Sequence, residues 1–413
     1  MLALPPQHFK SRRDLPSDVA QRLEHCAFTY GDSYDSYLAM EGDREYFFSS
    51  GRRGVVAFCR WGSVMQIAGG LLADPADREE LLVELLEFAR SRRWRITFFG
   101  LGRSDFKLFR AHGFQMTKVG EEPLVLLDET EWRGQPYEWL RRQENGCLKQ
   151  GLTVSEINAD VEACHYRDVI APELLEISRD HLAGTLHRRE MKFFVGQFDP
   201  HDLGRRRLFV AKTGDRIEAF VVLNPCLNGS MWAIEIFRKR RDAARGIIPF
   251  AMLQVMRQLK KEKVQYVSLS MVPWVRMHAT VSGDSFLMRF FCNTLWKYCN
   301  SLYDVRGMYH FKSRFRPHWR ELYIACQPKF GWSNLTAIGM TWGLLYVNPF
   351  RLLKHCWRDY FDPTRKSLAE PPWRPERLIR DLNRPEQVAE EAAAVRPSAE
   401  IVPAQMTPDG AVL

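Results

Sequence analysis

Twice along this chain the same order of signals recurs: a strand pair, a further strand, a long amphipathic helix and another strand. In the first copy, EYFFSS and GVVAFCRW read as a hairpin with Gly51 and Gly54 around its turn, and VMQIAGGLL as the next strand. DPADREELLVELLEFARSRRW reads as the helix. Asp74 and Pro75 supply its start signal, and Leu81, Leu82, Leu85, Leu86 and Phe88 its apolar face. ITFFGLG, SDFKLFRAHGF and PLVLLDE follow as buried strand, short helix and closing strand. In the second copy, RRLFVAKTGDRIEAFVVLNP turns at Gly214-Asp215, SMWAIEIFR is a strand, GIIPFAMLQVMRQLKKEK an amphipathic helix and VQYVSLSMV a strand. Alternation of the helix and strand periods argues for an α/β fold and against all-α or all-β. With 413 residues, 46% of them hydrophobic, the chain can bury one large core or two ordinary ones.

The divisions follow from this pattern. Residues 1–34 read as a loose arm leading into a short helix, 35–133 as the first unit and 134–151 as a basic connecting helix, YEWLRRQENGCLKQG. Residues 152–330 form the second unit, which opens with the helix PELLEISRDHLAG. Residues 331–361 change character: GWSNLTAIGMTWGLLYVNPF carries no charge, and Arg351, Lys354, His355 and Arg358 then alternate with Leu352, Leu353, Trp357 and Tyr360. Cations beside aromatics suit a segment lying among lipid headgroups, and equally a helix packed on the protein's own core. Residues 362–413, rich in Pro, Glu and Ala, read as a disordered tail.

The formal charge of +9 favours polyanionic partners, tRNA or anionic lipid headgroups. Nine cysteines, an odd count with no Cys-x-x-Cys pair, suggest neither a disulfide framework nor a zinc ribbon, and no metal site is expected. Reduced thiols and a start without the apolar run of a signal peptide place the chain in the cytoplasm.

Two stretches carry the chemistry. RGMYHFKSRFRPHWRELYIACQP, from Arg306 to Pro328, sets Lys312, Arg314 and Arg320 among Phe311, Phe315, Trp319 and Tyr323. Such a cluster can grip an anion and stack on a flat group, although in isolation it also reads as an edge strand with solvated charges. The strand SMWAIEIFR carries Glu235 and Arg238. A period of two puts them on opposite faces, unless an end or bulge at Arg238 turns both into one cleft.

These stretches, with LLADPADRE, VGEEPLVLL, LRRQENGCLKQGLTV, VGQFD and VVLNP in the same order, closely resemble the catalytic domain of lysyl-phosphatidylglycerol synthases over roughly residues 37–330. The resemblance implies a tandem acetyltransferase-like fold with mixed central sheets. It implies transfer of an amino acid, lysine by expectation, from aminoacyl-tRNA to a hydroxyl of phosphatidylglycerol or a related lipid. No further cofactor is implied, and the site of action is the inner face of the cell membrane. A peptide or other non-lipid acceptor is the alternative. The usual member also carries a multi-helix flippase domain, so the expectation here is a free-standing catalytic part.

Carried over residue by residue, Glu235, Arg238 and Lys312 are the catalytic candidates. Glu121, Glu122, Arg142, Asn145, Asp242, Arg314 and Trp319 are the substrate-binding ones. Glu235 stands where the family has aspartate, Pro249 where an acid is common, and Trp274 where a smaller residue is usual. Those changes bear on which substrates fit. Glu235, Glu122 and His310 are the candidate general bases. A CoA-dependent acyltransferase is a rival of the same fold class. Its pyrophosphate loop would be Arg241 to Gly246, which has alanine where the first glycine belongs. The basic runs, Arg141-Arg142 and Arg205-Arg206-Arg207 among them, offer a backbone footprint for tRNA.

Overall fold

The strand signals of both copies fuse into one continuous mixed sheet. The computed structural model describes residues 4–157, 161–183, 193, 196–277, 280–298 and 304–343, together with Leu353, Trp357, Phe361, Leu378 and Ile379. In the first half, β1 (Gln7–Phe9) pairs with β2 (Glu45–Phe48), and β2, β3 (Gly54–Trp61) and β4 (Val64–Ile67) run antiparallel. The two-residue strand β5 (Leu72–Ala73) pairs with β3 and leads to α2 (Arg78–Ser91); α1 (Ser17–Tyr30) precedes the sheet. β6 (Arg95–Leu101) returns parallel to β4, and α3 (Phe106–Ala111) leads into the long β7 (Gln115–Leu126).

The second half repeats the plan after α4 (Glu138–Lys149) and β8 (Leu152–Ile157). Helix α5 (Ala163–His165) runs through a π-helical turn into α6 (Ala171–Ala183). Strands β9 (Arg207–Thr213), β10 (Arg216–Cys226) and β11 (Met231–Lys239) are antiparallel, α7 (Ile247–Lys261) crosses over, and β12 (Tyr266–Ser268) returns parallel to β11. Then come β13 (Val272–Pro273), α8 (Phe286–Tyr298), α9 (Val305–Ser313), β14 (His318–Gln327) and α10 (Trp332–Thr341). This duplicated hairpin–strand–helix–parallel strand order is the acetyltransferase-like α/β plan that the sequence implies.

Two features depart from that reading. The chain's last long strand does not stay with the half that precedes it. β14 inserts between β6 and β7, antiparallel to both, while β12 pairs with the far end of β7. The units 35–133 and 152–330 therefore share one sheet, the second lending β14 to the first. The physical reason is the near-continuous burial of β14 from Trp319 to Cys326, which needs partners on both edges and both faces. The Arg306–Pro328 stretch is accordingly a helix, a turn and a central strand.

The second departure is at the start. The loose arm is in fact ordered over the described residues: β1 extends the sheet, and α1 buries Val19, Leu23, Cys26 and Ala27 completely. That i, i+4, i+7, i+8 stripe is an amphipathic signal. The helix packs against β3 and β5 of the first half and β10 of the second.

Helices α4 and α7 cover one face of the second half's sheet over Phe209, Val221, Ile234 and Val267, and α6 covers the other over Phe220, Val222 and Ile236. Pro249 sits in the first turn of α7, where its missing N–H costs nothing. No helix among the described residues is long and apolar enough to cross a membrane. Of the segment 331–361, residues 331–343 hold α10, while most of the rest lies outside the described residues, as does the tail from 362 apart from Leu378 and Ile379. Seven cysteines among the described residues are free thiols, six of them buried.

Candidate active site

The site begins with an irregularity in β11. Val222 of β10 faces Ile236 and the next residue, Leu223, faces Ile234, so Glu235 is the extra residue of a β-bulge. The bulge falls at Glu235 and not at Arg238, and beyond it the alternation is regular. Glu235 and Phe237 lie toward α9, where Phe237 meets Phe311 at 6.1 Å. Arg238 points the other way, bonded to Ser178 of α6 and lying 5.6 Å from the Phe198 ring. The structure thus separates Arg238 from Glu235.

Lys312 joins Glu235. It lies on the inward face of α9, 4% exposed, and donates to the carbonyls of Ser270 (3.0 Å) and Met271 (3.3 Å). The Ser270 hydroxyl donates to Glu235 Oε2 at 3.2 Å, and the Gly196 N–H to Glu235 Oε1 at 3.0 Å. Ser270 N–H donates to Ser268 Oγ at 3.0 Å, and Ser268 Oγ to Glu122 Oε1 at 2.6 Å. Directly across the ladder from Glu122 is Arg320 of β14, whose Nε donates to Glu122 Oε2 at 2.8 Å. One chain of hydrogen bonds therefore runs from β14 through β7 and the β12–β13 link to the bulge.

Burial governs the ionisation of the two ends. It pushes the Glu235 carboxyl up to about 7 against the pull of Gly196, Ser270, Arg206 and Lys312. It also brings the Lys312 ammonium down to about 7, although Glu235 and Glu122 favour its charge. Among the described residues, neither group has a full counter-ion in hydrogen-bond contact, so small changes in surroundings move a proton at neutral pH.

A second wall comes from the first half. A Cβ on Gly196 would sit 3.3 Å from Glu41 Oε1 and 3.4 Å from Glu235 Cγ, so the two carboxylates flank a backbone that only glycine fits easily. Glu41 pairs with Arg206 at 2.5 Å, and Arg206 Nε donates to Asn224 Oδ1 at 2.9 Å. Burial raises the Glu41 carboxyl, with Arg206 opposing.

The remaining candidates lie elsewhere. Glu121 is buried against Lys118 (2.6 Å) and Arg276 (2.9 Å). Trp319 stacks on Tyr309 at 4.9 Å and under Arg276 at 5.2 Å, a packed side chain and not an open platform. Asp242 is exposed and pairs with Arg216 at 2.9 Å. Arg142 is exposed and pairs with Glu138 at 2.6 Å, with Asn145 exposed on the same helix. Arg314 is exposed, 5.7 Å from the Trp139 ring of α4. His310 is half-buried beside Tyr309. Trp274 is buried with Val272, Met277 and Trp319.

Sequence reasoning misses Glu41, Arg206, Ser268 and Ser270 as site residues. Ser268 and Ser270 sit inside the VSLSMV strand, and Arg206 inside a basic run. Glu41 gives no local signal, because only tertiary contact brings it to Gly196. Gly246 opens α7 at φ 88°, and its Cβ direction is filled by Gln143 of α4. That crowding adds to the missing glycine as an argument against a CoA pyrophosphate there.

Comparison with known proteins accords with this geometry. Residues 27–326 match the family model described as phosphatidylglycerol lysyltransferase, C-terminal. The curated phosphatidylglycerol lysyltransferase of Bacillus subtilis is 25% identical over 310 residues, 74% of this chain and 35% of that protein. The Staphylococcus xylosus enzyme of the same name is 23% identical, over 76% of this chain and 36% of its own. The chain thus spans about a third of the length of the curated relatives it matches. Two solved structures share the fold. The C-terminal domain of a putative lysylphosphatidylglycerol synthetase from Agrobacterium fabrum has a TM-score of 0.65 at 23% identity, covering 79% of this chain and 96% of that one. L-PGS from Bacillus licheniformis has a TM-score of 0.64 at 22% identity, with the same coverage. On the breadth of the family match, the chain belongs to the phosphatidylglycerol lysyltransferase C-terminal family.

Proposed function

We propose that this chain is an aminoacyltransferase that moves an amino acid, lysine by the name of its relatives, from aminoacyl-tRNA onto a hydroxyl of phosphatidylglycerol. The observation that carries the reading is the arrangement of buried Lys312 with half-buried Glu235 and Ser270, placed where both halves of the sheet meet within a family that bears this name. The donor ester is already activated, so the work left to the protein is orientation and charge stabilisation.

In this reading, Glu235 and Glu41, on either side of Gly196, receive the donor's ammonium group. The lipid hydroxyl oxygen attacks the ester carbonyl carbon, and the Lys312 ammonium stabilises the oxygen that becomes negative. The hydroxyl proton passes to Glu235, whose raised affinity for protons suits that task near pH 7. The carbon–oxygen bond to the ribose then breaks, and the departing ribose oxygen takes up the proton that Glu235 received, which returns Glu235 to its starting state. Arg238, held against Ser178 on the other face, supports β11 and does not touch the reacting atoms. The enzyme acts as a peripheral protein on the inner membrane surface and needs no cofactor beyond its two substrates.

The test is to incubate the purified chain with phosphatidylglycerol vesicles and a pool of labelled aminoacyl-tRNAs, and to extract the lipid. Label in the organic phase is expected, with Glu235→Gln and Lys312→Met each lowering turnover by about 10²–10³, the range for loss of one oxyanion donor. Label transferred to an added peptide and absent from lipid would replace the acceptor. No transfer from any aminoacyl-tRNA would overturn the reading.

A further inference from the structure

Large apolar side chains left in water are unremarkable when scattered, and here they are not scattered. Among the described residues, six are at least 59% exposed, and the next, Leu148, reaches 53%. All six fall in two stretches: Phe286 and Phe290 on α8, then Trp332, Leu353, Trp357 and Phe361 after β14. Phe286 and Phe290 lie one helical turn apart and stack at 6.3 Å, while the other side of α8 is buried through Met288, Cys292 and Leu295. Leu353, Trp357 and Phe361 are helical at a spacing of four, and the last two rings meet at 5.0 Å, so they share one side. Trp332 and the three residues of this stripe lie beyond residue 326, where the family match ends. The fold ties these positions to the site. Helices α8, α9 and α10 bury their inner sides in one hydrophobic cluster, α8 through Met288, α9 through Val305 and Tyr309, and α10 through Ile338. Of the three, α9 is the helix that carries Lys312.

We propose that the outer side of α8, Trp332 at the start of α10 and the Leu353–Trp357–Phe361 stripe form a docking surface for an anionic phospholipid bilayer. The inference rests on the lipid-acceptor reading above and gives it a surface, on the layer of helices that holds Lys312. Charge complementarity selects this occupant. Between Glu321 and Asp359 the sequence has no acidic residue, yet it has Lys329, Arg351, Lys354 and Arg358. The stretch that holds α8 is likewise free of acids between Asp284 and Asp304, and includes Arg289 and Lys297. Aromatic and aliphatic side chains on one side of a helix, with cations interleaved and acids excluded, suit the boundary between headgroups and acyl chains. An interface with a second protein imposes no such exclusion of acids, since it pairs charges of both signs.

The experiment measures co-sedimentation of the full chain with vesicles of phosphatidylcholine alone and of phosphatidylcholine mixed with phosphatidylglycerol. Two variants are compared with it, Phe286→Ser/Phe290→Ser and Trp332→Ser/Trp357→Ser/Phe361→Ser. These side chains are exposed, so an unchanged melting temperature shows that each variant folds. The unaltered chain should bind the anionic vesicles more tightly than the neutral ones, and each variant should partition about ten-fold or more weaker. Turnover on vesicular phosphatidylglycerol should fall in step, while transfer to a short-chain, monomeric phosphatidylglycerol stays unchanged. Undiminished partition of both variants would overturn the surface, whether or not the chain transfers an amino acid. Lost self-association in variants that still bind vesicles would reassign the surface to a second copy of this chain. Weakened vesicle binding in variants of a chain that transfers nothing to vesicular or monomeric lipid would uphold the surface and remove the acceptor reading.

Discussion

Two buried charge clusters flank β7 and β14, and they handle charge in opposite ways. In the first, Glu121 and Glu321 stand directly opposite across the ladder, a like-charge arrangement that would be destabilising alone. Lys118 bridges them at 2.6 and 3.1 Å, Arg103 reaches Glu321 at 2.9 Å, and Tyr323 donates to Glu321 at 2.8 Å. Burial works against Glu321's charge, yet Lys118, Tyr323 and Arg103 hold its carboxyl down at about 2. In the second cluster, Lys312 is buried and Glu235 half-buried, and they meet only a hydroxyl, an N–H and two carbonyls among the described residues. Closed charges stabilise a fold; charges left open near their titration point are what acid–base chemistry requires.

The largest expected effect sets Lys118→Met against Lys312→Met. Removing Lys118 leaves two facing carboxylates without their bridge and should cost about 3–5 kcal/mol, as when one partner of a buried pair is lost. Removing Lys312 takes away an ammonium that burial already disfavours, and should cost less than about 1.5 kcal/mol while turnover collapses. Urea midpoints at constant slope measure both. Equal destabilisation by the two would make Lys312 a structural ion and erase the contrast.

Next in size is the pH dependence of stability. Glu321 titrates lower in the folded chain than unfolded, so its contribution is present above about 4.5 and lost as pH falls toward about 2. Glu235 titrates higher when folded, so its contribution is present below about 4.5 and lost as pH rises through about 7. Glu321→Gln should therefore destabilise at pH 7 and become indistinguishable from the unaltered chain near pH 2. Glu235→Gln should match the unaltered chain at pH 4.5 and gain stability above pH 7, by on the order of 2–3 kcal/mol. Parallel curves for the two variants would show that the clusters do not differ in this way.

Part of this contrast is legible in the order of amino acids alone. The duplicated succession of elements can be read there because it rests on local periodicity, and Glu235 and Lys312 because the short motifs that hold them resemble those of a known family. The strand exchange cannot, since nothing in His318–Gln327 names the strands of the first half as its neighbours. Nor can the position of the bulge, which is a property of the ladder between β10 and β11 and not of either strand. Glu121 and Glu122 read as binders because VGEEPLVLL matches a motif of the family. Burial against Lys118, Arg276 and Arg320 makes them part of the frame. Arg142, Asn145 and Arg314 fall away from the site because sequence order carries no distance.

The smallest effect concerns Ser270, the residue through which the open cluster is held. It adopts φ 59°, a left-handed conformation that costs a non-glycine residue about 1–2 kcal/mol. Its hydroxyl donates to Glu235 and also lies 2.9 Å from the Ile234 carbonyl, while its own carbonyl accepts from Lys312. Ser270→Ala keeps the strain and loses the hydroxyl, and should cost about 1 kcal/mol of stability. Ser270→Gly loses the same hydroxyl but relaxes the backbone, so its stability should return to within about 0.5 kcal/mol of the unaltered chain. Both remove a hydrogen bond to the charged form of Glu235, and the pH profile of turnover should shift upward equally in the two. A shift in the alanine variant alone would mean that backbone geometry, and not the hydroxyl, sets the proton affinity of Glu235.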